Sequence, residues 1–100
     1  MEVRVAAEGE IPEGGVKIVQ SGQLFIGVYL IDGVYHAIED RCSHDDGPLC
    51  EGDRDGFCIE CHRHGAHFDV RTGGVLSLPA TEDVEAYPVT VRAGEIFIEA

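Results

Sequence analysis

Two short cysteine–histidine pairs constrain this 100-residue chain more than any other feature of its sequence. One residue separates Cys42 from His44, two separate Cys61 from His64, and sixteen residues lie between the two pairs. Each pair is short enough for one loop to present both side chains to a single site. Two thiolates and two imidazoles can hold a tetrahedral zinc ion. They can also hold a [2Fe–2S] cluster in which two histidines replace cysteines on one iron.

The sequence outside these pairs predicts β-strands. Residues 24–31, "LFIGVYLI", are nearly all apolar, residues 32–33 form an Asp-Gly turn signal, and "VYHAIE" at 34–39 would pair back as a hairpin. Near the C-terminus, "VEAYPVTV" and "EIFIEA" flank a three-residue turn at 92–94 and predict another hairpin. No ten-residue stretch shows helical periodicity. We therefore predict a single all-β domain over residues 1–100, an antiparallel sandwich or barrel.

Residues 40–80 interrupt the strand pattern and predict a small inserted subdomain that carries both pairs. This region contains all four cysteines of the chain. Within it, "EGDRDGFCIEC" at 51–61 predicts a short hairpin that would present the two pairs as neighbouring loops. Cys50 and Cys58 stand symmetrically about Arg54, which predicts that they lie opposite each other in this hairpin. We favour buried free thiols there, with a disulfide as the alternative.

The net charge of the chain is −12. Such a charge argues against nucleic acid, whose phosphates require a basic surface, and favours a basic protein partner. The N-terminus lacks the pattern of a secretory signal, and no apolar stretch approaches membrane-spanning length. We expect a soluble, cytoplasmic protein without a membrane partner. In that reducing compartment, four cysteines indicate metal or redox chemistry more than disulfides.

The spacing of the two pairs resembles the signature of the Rieske iron–sulfur proteins. The similarity extends to several flanking segments, which are "EIPEGG", "DGVYHAIEDRCSH", "GPLCEG", "HGAHFDVRTG" and "LPATEDVEAYPVTV". The resemblance implies an antiparallel β scaffold bearing a smaller cluster-binding subdomain, with one Rieske-type [2Fe–2S] cluster per chain. It implies that Cys42 and Cys61 bind one iron and that His44 and His64 bind the other. It therefore favours the cluster over zinc.

The resemblance also bears on the redox potential. High-potential members of the family link the two cluster loops by a disulfide, at positions that correspond to Gly47 and Arg63 here. They also place a serine and a tyrosine hydroxyl against the cluster sulfurs, where this chain has Ala66 and Phe68. Fewer hydrogen-bond donors stabilise the reduced cluster less. We therefore predict a potential near the low end of the Rieske range of roughly −150 to +300 mV.

The resemblance predicts an electron carrier and not an enzyme, since no additional base, nucleophile or substrate-pocket motif accompanies the ligands. A standalone low-potential Rieske protein is similar to the ferredoxin component of multicomponent ring-hydroxylating dioxygenases. That component carries single electrons from an NAD(P)H-dependent flavin reductase to a terminal oxygenase. Two alternatives are a Rieske subunit of another oxidoreductase, of the nitrite-reductase small-subunit type, and a structural zinc domain.

Overall fold

The computed structural model describes residues 2–41, 48–50, 52–61, 65–78 and 80–100. These residues form strands and turns without any helix, and so contain no helix that could cross a membrane. The all-β prediction is confirmed. In chain order the strands are β1 (Glu2–Ala7), β2 (Val16–Ser21), β3 (Leu24–Ile31), β4 (Val34–Glu39), β5 (Arg54–Asp55), β6 (Cys58–Glu60), β7 (His67–Asp69), β8 (Ala86–Tyr87), β9 (Val89–Arg92) and β10 (Glu95–Glu99).

Two antiparallel sheets, ordered β1-β10-β9 and β2-β3-β4-β8, form the scaffold. Apolar side chains from β1, β3, β4 and β10 alternate toward a shared core, as expected for half-buried strands. The buried members of this core are Val5, Ala6, Ile11, Ile26, Val28, Ala37, Ile96 and Ile98. The scaffold is thus an antiparallel sandwich with its own core.

Both predicted scaffold hairpins are present. The β3–β4 hairpin turns at Asp32 and Gly33, whose φ angles of 53° and 77° suit the tight turns that match strand twist. The β9–β10 turn has two residues and not the predicted three. The reason is that Arg92 pairs with Glu95, so only Ala93 and Gly94 lie outside the ladder.

A third, smaller sheet has the order β5-β6-β7 and lies within residues 40–80. The predicted short hairpin is present as β5 and β6, with Asp55 opposite Cys58. The prediction that Cys50 and Cys58 face each other is wrong, because β5 begins only at Arg54 and Cys50 packs beneath β3 instead. Both cysteines are free thiols.

The small sheet is joined to the scaffold by a second apolar core. Side chains of β3 and β4 pack there against residues from the segments that precede, form and follow the small sheet. Its buried members are Tyr29, Ile31, Ile38, Leu49, Cys50, Ile59, Cys61, Ala66, Phe68, Val70, Ala80 and Val84. Because both sheets contribute, the position of the small sheet on the scaffold is fixed by packing.

Phe57 makes a further contact between the small sheet and the scaffold. The His36 ring on β4 meets the Phe57 ring edge-on at 5.8 Å between centroids. The Arg71 guanidinium lies over the Phe57 ring at 4.3 Å and pairs with Asp69 at 2.9 Å. Burial, with the nearby Arg71 charge, lowers the pKa of His36, so the imidazole packs there in its neutral form.

Gly52 lies very close to the end of β6. Its backbone N–H donates to the Leu49 carbonyl at 3.0 Å. A Cβ at this position would overlap the carbonyl oxygen of Glu60, the last residue of β6. Only glycine lets the chain after Cys50 run this close to the end of β6.

Replacing Gly52 with alanine should therefore destabilise the fold by about 3 kcal/mol, the upper end of overpacking costs, because backbone atoms must move. Gly56→Ala in the same hairpin is the matched control. Its φ of 61° costs an alanine about 1–2 kcal/mol, but nothing lies within 4 Å of the added methyl. Denaturant unfolding measures both free energies. Equal losses for the two variants would contradict the close approach.

Candidate metal centre

Cys61 is the one predicted ligand that the described residues include. It directly follows β6 and is 0% exposed, within the second core. Cys42, His44 and His64 lie outside the described residues, so the four-ligand set stays a prediction. The structure describes the residues at the ends of the two segments that carry these predicted ligands.

The segment that carries Cys61 and His64 joins β6 to β7. The Cys61 backbone N–H donates to the Ala66 carbonyl at 2.8 Å, and the Gly65 N–H donates to the Cys61 carbonyl at 3.0 Å. Gly65 adopts φ 74°, a conformation that glycine reaches without steric cost. These bonds bring the two ends of the segment together immediately beside the Cys61 side chain.

The segment that carries Cys42 and His44 follows β4 and ends at 48–50. Its two ends also meet, because the Asp40 carboxylate accepts hydrogen bonds from Leu49 and Cys50. Leu49 and Cys50 share the second core with Cys61. The structure therefore brings the described ends of the two segments that carry the predicted ligands into one core, as two loops converging on one site require.

The Cys61 thiol fits the role of a metal ligand. It is fully buried, it is not in a disulfide, and no hydrogen bond from another described residue reaches its sulfur. A polar atom buried in an apolar core usually has a partner, and iron bound to a thiolate would be that partner. A cluster needs such a sulfur donor, and the imidazoles predicted from the sequence suit its second iron.

Cys50 is equally buried but is a packing residue. Burial raises the pKa of its thiol to about 12. Its sulfur lies 4.0 Å from the Ile38 carbonyl oxygen and 3.9 Å from that of Glu39. Cys58 is half-buried on the small sheet, and burial together with nearby carboxylates raises its pKa as well. Neither thiol competes with Cys61.

Among the described residues, the core around Cys61 includes two side chains that cannot donate a hydrogen bond. Ala66 and Phe68, both 0% exposed, belong to the same core and carry no hydroxyl. His67 is not available as an additional ligand. Its Nδ1 lies 2.8 Å from Ser77 Oγ and its Nε2 lies 3.1 Å from a Glu60 carboxylate oxygen.

The structure adds Asp40 and Tyr29 to the residues around the site. Asp40 is one of eight carboxylates between residues 39 and 60, and nothing in the sequence distinguishes it from the others. Tyr29 lies in an apolar strand, and its hydroxyl donates to the Cys50 carbonyl at 3.0 Å. Only the pairing of β3 with β4 and the return of the chain at Leu49 bring these groups together.

Comparison with known proteins shows which family this chain resembles. A family model described as the Rieske [2Fe-2S] domain matches residues 1–88. The 3-phenylpropionate/cinnamic acid dioxygenase ferredoxin subunit of Photorhabdus laumondii is 41% identical over 90 residues, which cover 89% of this chain and 85% of that protein.

Solved structures show the same fold. The ferredoxin of carbazole 1,9a-dioxygenase from Nocardioides aromaticivorans IC177 superposes with a TM-score of 0.91 at 32% identity, over 98% of this chain and 96% of that one. A chain in a complex of reduced oxygenase and oxidized ferredoxin of carbazole 1,9a-dioxygenase also gives a TM-score of 0.91. It is 34% identical, with 97% of this chain and 91% of that chain covered.

Removing the Cys61 sulfur should release the metal, whereas removing the equally buried Cys50 sulfur should not. We expect Cys61→Ala to lower metal affinity by at least about tenfold, since even residues behind the ligands contribute that much. Cys50→Ala should keep the metal and lose only about 1 kcal/mol of packing. Metal content and visible absorption of the two purified variants give the comparison. Full metal content in Cys61→Ala would contradict the assignment.

Proposed function

Because the chain belongs to the Rieske [2Fe–2S] family, we propose that it is the ferredoxin component of a ring-hydroxylating dioxygenase system. It binds a Rieske-type [2Fe–2S] cluster and is an electron carrier, not the catalytic component. The observation that carries the proposal is the match to ferredoxin chains over nearly their whole length, including a ferredoxin in complex with its oxygenase. The same match removes the zinc alternative.

We propose that the cluster is held asymmetrically, by Cys42 and Cys61 on one iron and by His44 and His64 on the other. When bound, a cluster with this ligation accepts and releases one electron at roughly −150 to +300 mV. Residues 40–80 are the proposed cluster-binding subdomain of a single domain over residues 1–100. The Cys61 sulfur is buried and has no hydrogen-bond partner among the described residues, which supports this ligand set.

A potential at the low end of the Rieske range is part of the proposal. The apolar Ala66 and Phe68 side chains occupy the positions that carry hydroxyl donors in high-potential members, and both are buried in the core around Cys61. Without those hydroxyls, fewer donors compensate the charge that reduction adds. Neither Gly47 nor Arg63 can form a disulfide between the two segments.

The proposed partners are a flavin-dependent reductase and a terminal oxygenase in the cytoplasm. The net charge of −12 favours basic docking surfaces on both partners and disfavours nucleic acid. Leu76 and Leu78 are 56% and 75% exposed and follow the small sheet. The Leu76 N–H donates to the His67 carbonyl, and the His67 N–H donates to Ser77 Oγ. These bonds fix the backbone that carries the two leucines. We propose that these two exposed leucines take part in a contact with a partner protein.

A nitrite-reductase-type subunit is the other candidate function. The relatives and structures described above are dioxygenase ferredoxins, which favours dioxygenase service.

Electron transfer to an oxygenase tests the function directly. We expect the dithionite-reduced protein, freed of excess reductant and mixed anaerobically with the terminal oxygenase of a phenylpropionate dioxygenase, to be reoxidised faster than with an inert basic protein. The rate should fall as salt rises from about 0.01 M to about 1 M, since the screening length drops from about 30 Å to about 3 Å. No acceleration by the oxygenase would contradict the proposal.

The same measurement tests the apolar contact. Leu78→Asn should slow transfer without changing the visible spectrum. Val34→Asn is the control. Val34 is 54% exposed, but it is the first residue of β4, and the segment that carries Cys42 and His44 follows the other end of that strand. Equal rates for both variants would show that Leu78 lies outside the contact.

Adding a hydroxyl beside Cys61 should raise the midpoint potential. If the serine of Ala66→Ser favours the reduced state by about 1.4 kcal/mol, the midpoint rises by about 59 mV for one electron. Ala37→Ser adds the same group to a buried alanine of the scaffold core and should leave the midpoint unchanged. Redox titration of both variants gives the answer. An unshifted midpoint in Ala66→Ser would contradict the explanation of the low potential.

A further inference from the structure

Asp40 joins the two ends of the first ligand-bearing segment through a single carboxylate oxygen. Its backbone N–H donates to the Phe25 carbonyl at 2.7 Å, which holds Asp40 against β3 just beyond the end of β4. Its Oδ1 then accepts from the Leu49 N–H at 2.8 Å and from the Cys50 N–H at 2.7 Å. Eight residues of sequence lie between these two ends.

The Asp40 carboxylate and the two N–H groups that it accepts from, those of Leu49 and Cys50, form a clamp. Cys50 anchors this clamp to β3. The Tyr29 hydroxyl donates to the Cys50 carbonyl at 3.0 Å, and burial raises the pKa of Tyr29, so the hydroxyl keeps its proton. The Cys50 sulfur fills the space over Gly27, where a Cβ would lie 2.5 Å from it. The Leu49–Cys50 peptide is therefore held from two strands at once and cannot shift independently of the scaffold.

The clamp also reaches the second segment. The Gly52 N–H donates to the Leu49 carbonyl at 3.0 Å, and Gly52 packs directly against the carbonyl of Glu60. Glu60 is the residue before Cys61. A short chain of contacts thus runs from Asp40 through Leu49 and Gly52 to Cys61.

We infer that Asp40 is a positioning residue for the cluster. By fixing where the first segment starts and ends, it sets the placement of Cys42 and His44 relative to Cys61 and His64. It acts through the backbone and not as a ligand, because its Oδ1 is occupied by two N–H groups. The inference rests on the proposed ligand set.

Two substitutions separate the hydrogen bonds of Asp40 from its charge. Asp40→Ala removes the acceptor, and we expect iron release from the loaded protein to a chelator to be faster by about tenfold or more. Asp40→Asn keeps an oxygen that can accept both N–H groups and removes only the charge. Its release rate should stay close to that of the parent. The EPR spectrum of the reduced Asp40→Ala protein should broaden, while that of Asp40→Asn should not.

Glu13 provides a matched control at the other end of β4. Its carboxylate also accepts two backbone N–H groups, from Asp32 at 2.7 Å and from Gly33 at 2.9 Å. Glu13→Ala removes a clamp of the same kind far from the ligand-bearing segments and should release iron at the parent rate. Tyr29→Phe is a milder test that retains the fold. It removes one bond to Cys50 and should accelerate release by a smaller factor than Asp40→Ala.

Faster release in Asp40→Ala and Tyr29→Phe, with parent-like release in Asp40→Asn and Glu13→Ala, is the expected result. Equal acceleration by Asp40→Ala and Glu13→Ala would show a general loss of stability and overturn the inference. So would parent-like release in Tyr29→Phe, even if Asp40→Ala does not fold. A parent protein that binds no iron would refute the proposed function itself, and the parent measurement alone reveals that outcome.

Discussion

The structure depends on one shared apolar core that ties the two segments with the proposed ligands to a single β-hairpin. Tyr29 and Ile38 on β3 and β4 pack against Leu49, Cys50 and Cys61, so the ends of both segments rest on the same two strands. A cluster bound by two loops requires the loops to keep a fixed separation. In a domain of 100 residues with a modest core, sharing one core between scaffold and site achieves this without a separate support.

The same core bears on the redox potential proposed for the site. Ala66 and Phe68 are buried in the core around Cys61. The resemblance to high-potential members of the family places hydroxyl groups at these two positions. Acidic residues elsewhere make the chain strongly negative. The lack of a hydroxyl at these two described positions and the negative net charge both oppose the addition of an electron. The proposed low potential would suit the proposed transfer of electrons from a flavin reductase to an oxygenase.

The all-β fold could be predicted from local sequence, and the kind of cofactor from the resemblance to the Rieske family. The Asp32-Gly33 turn and the apolar run of β3 are strong local signals, and the spacing of Cys61 from the other proposed ligands is specific. What sequence could not provide depends on which backbone groups meet after folding. The role of Asp40 requires the N–H groups of Leu49 and Cys50 to return to it. The prediction that Cys50 lies opposite Cys58 was wrong for the same reason, because symmetry about Arg54 says nothing about packing beneath β3.

The most direct measurement is pulsed EPR of the dithionite-reduced protein, with histidine labelled with ¹⁵N. Two directly bound imidazole nitrogens should each give a hyperfine coupling, and both couplings should change when the label is introduced. Substitution of His44 or His64 should remove one of the two. A reduced cluster that shows no coupling to histidine nitrogen would mean ligation by cysteine alone, and it would contradict the asymmetric ligand set on which the account rests.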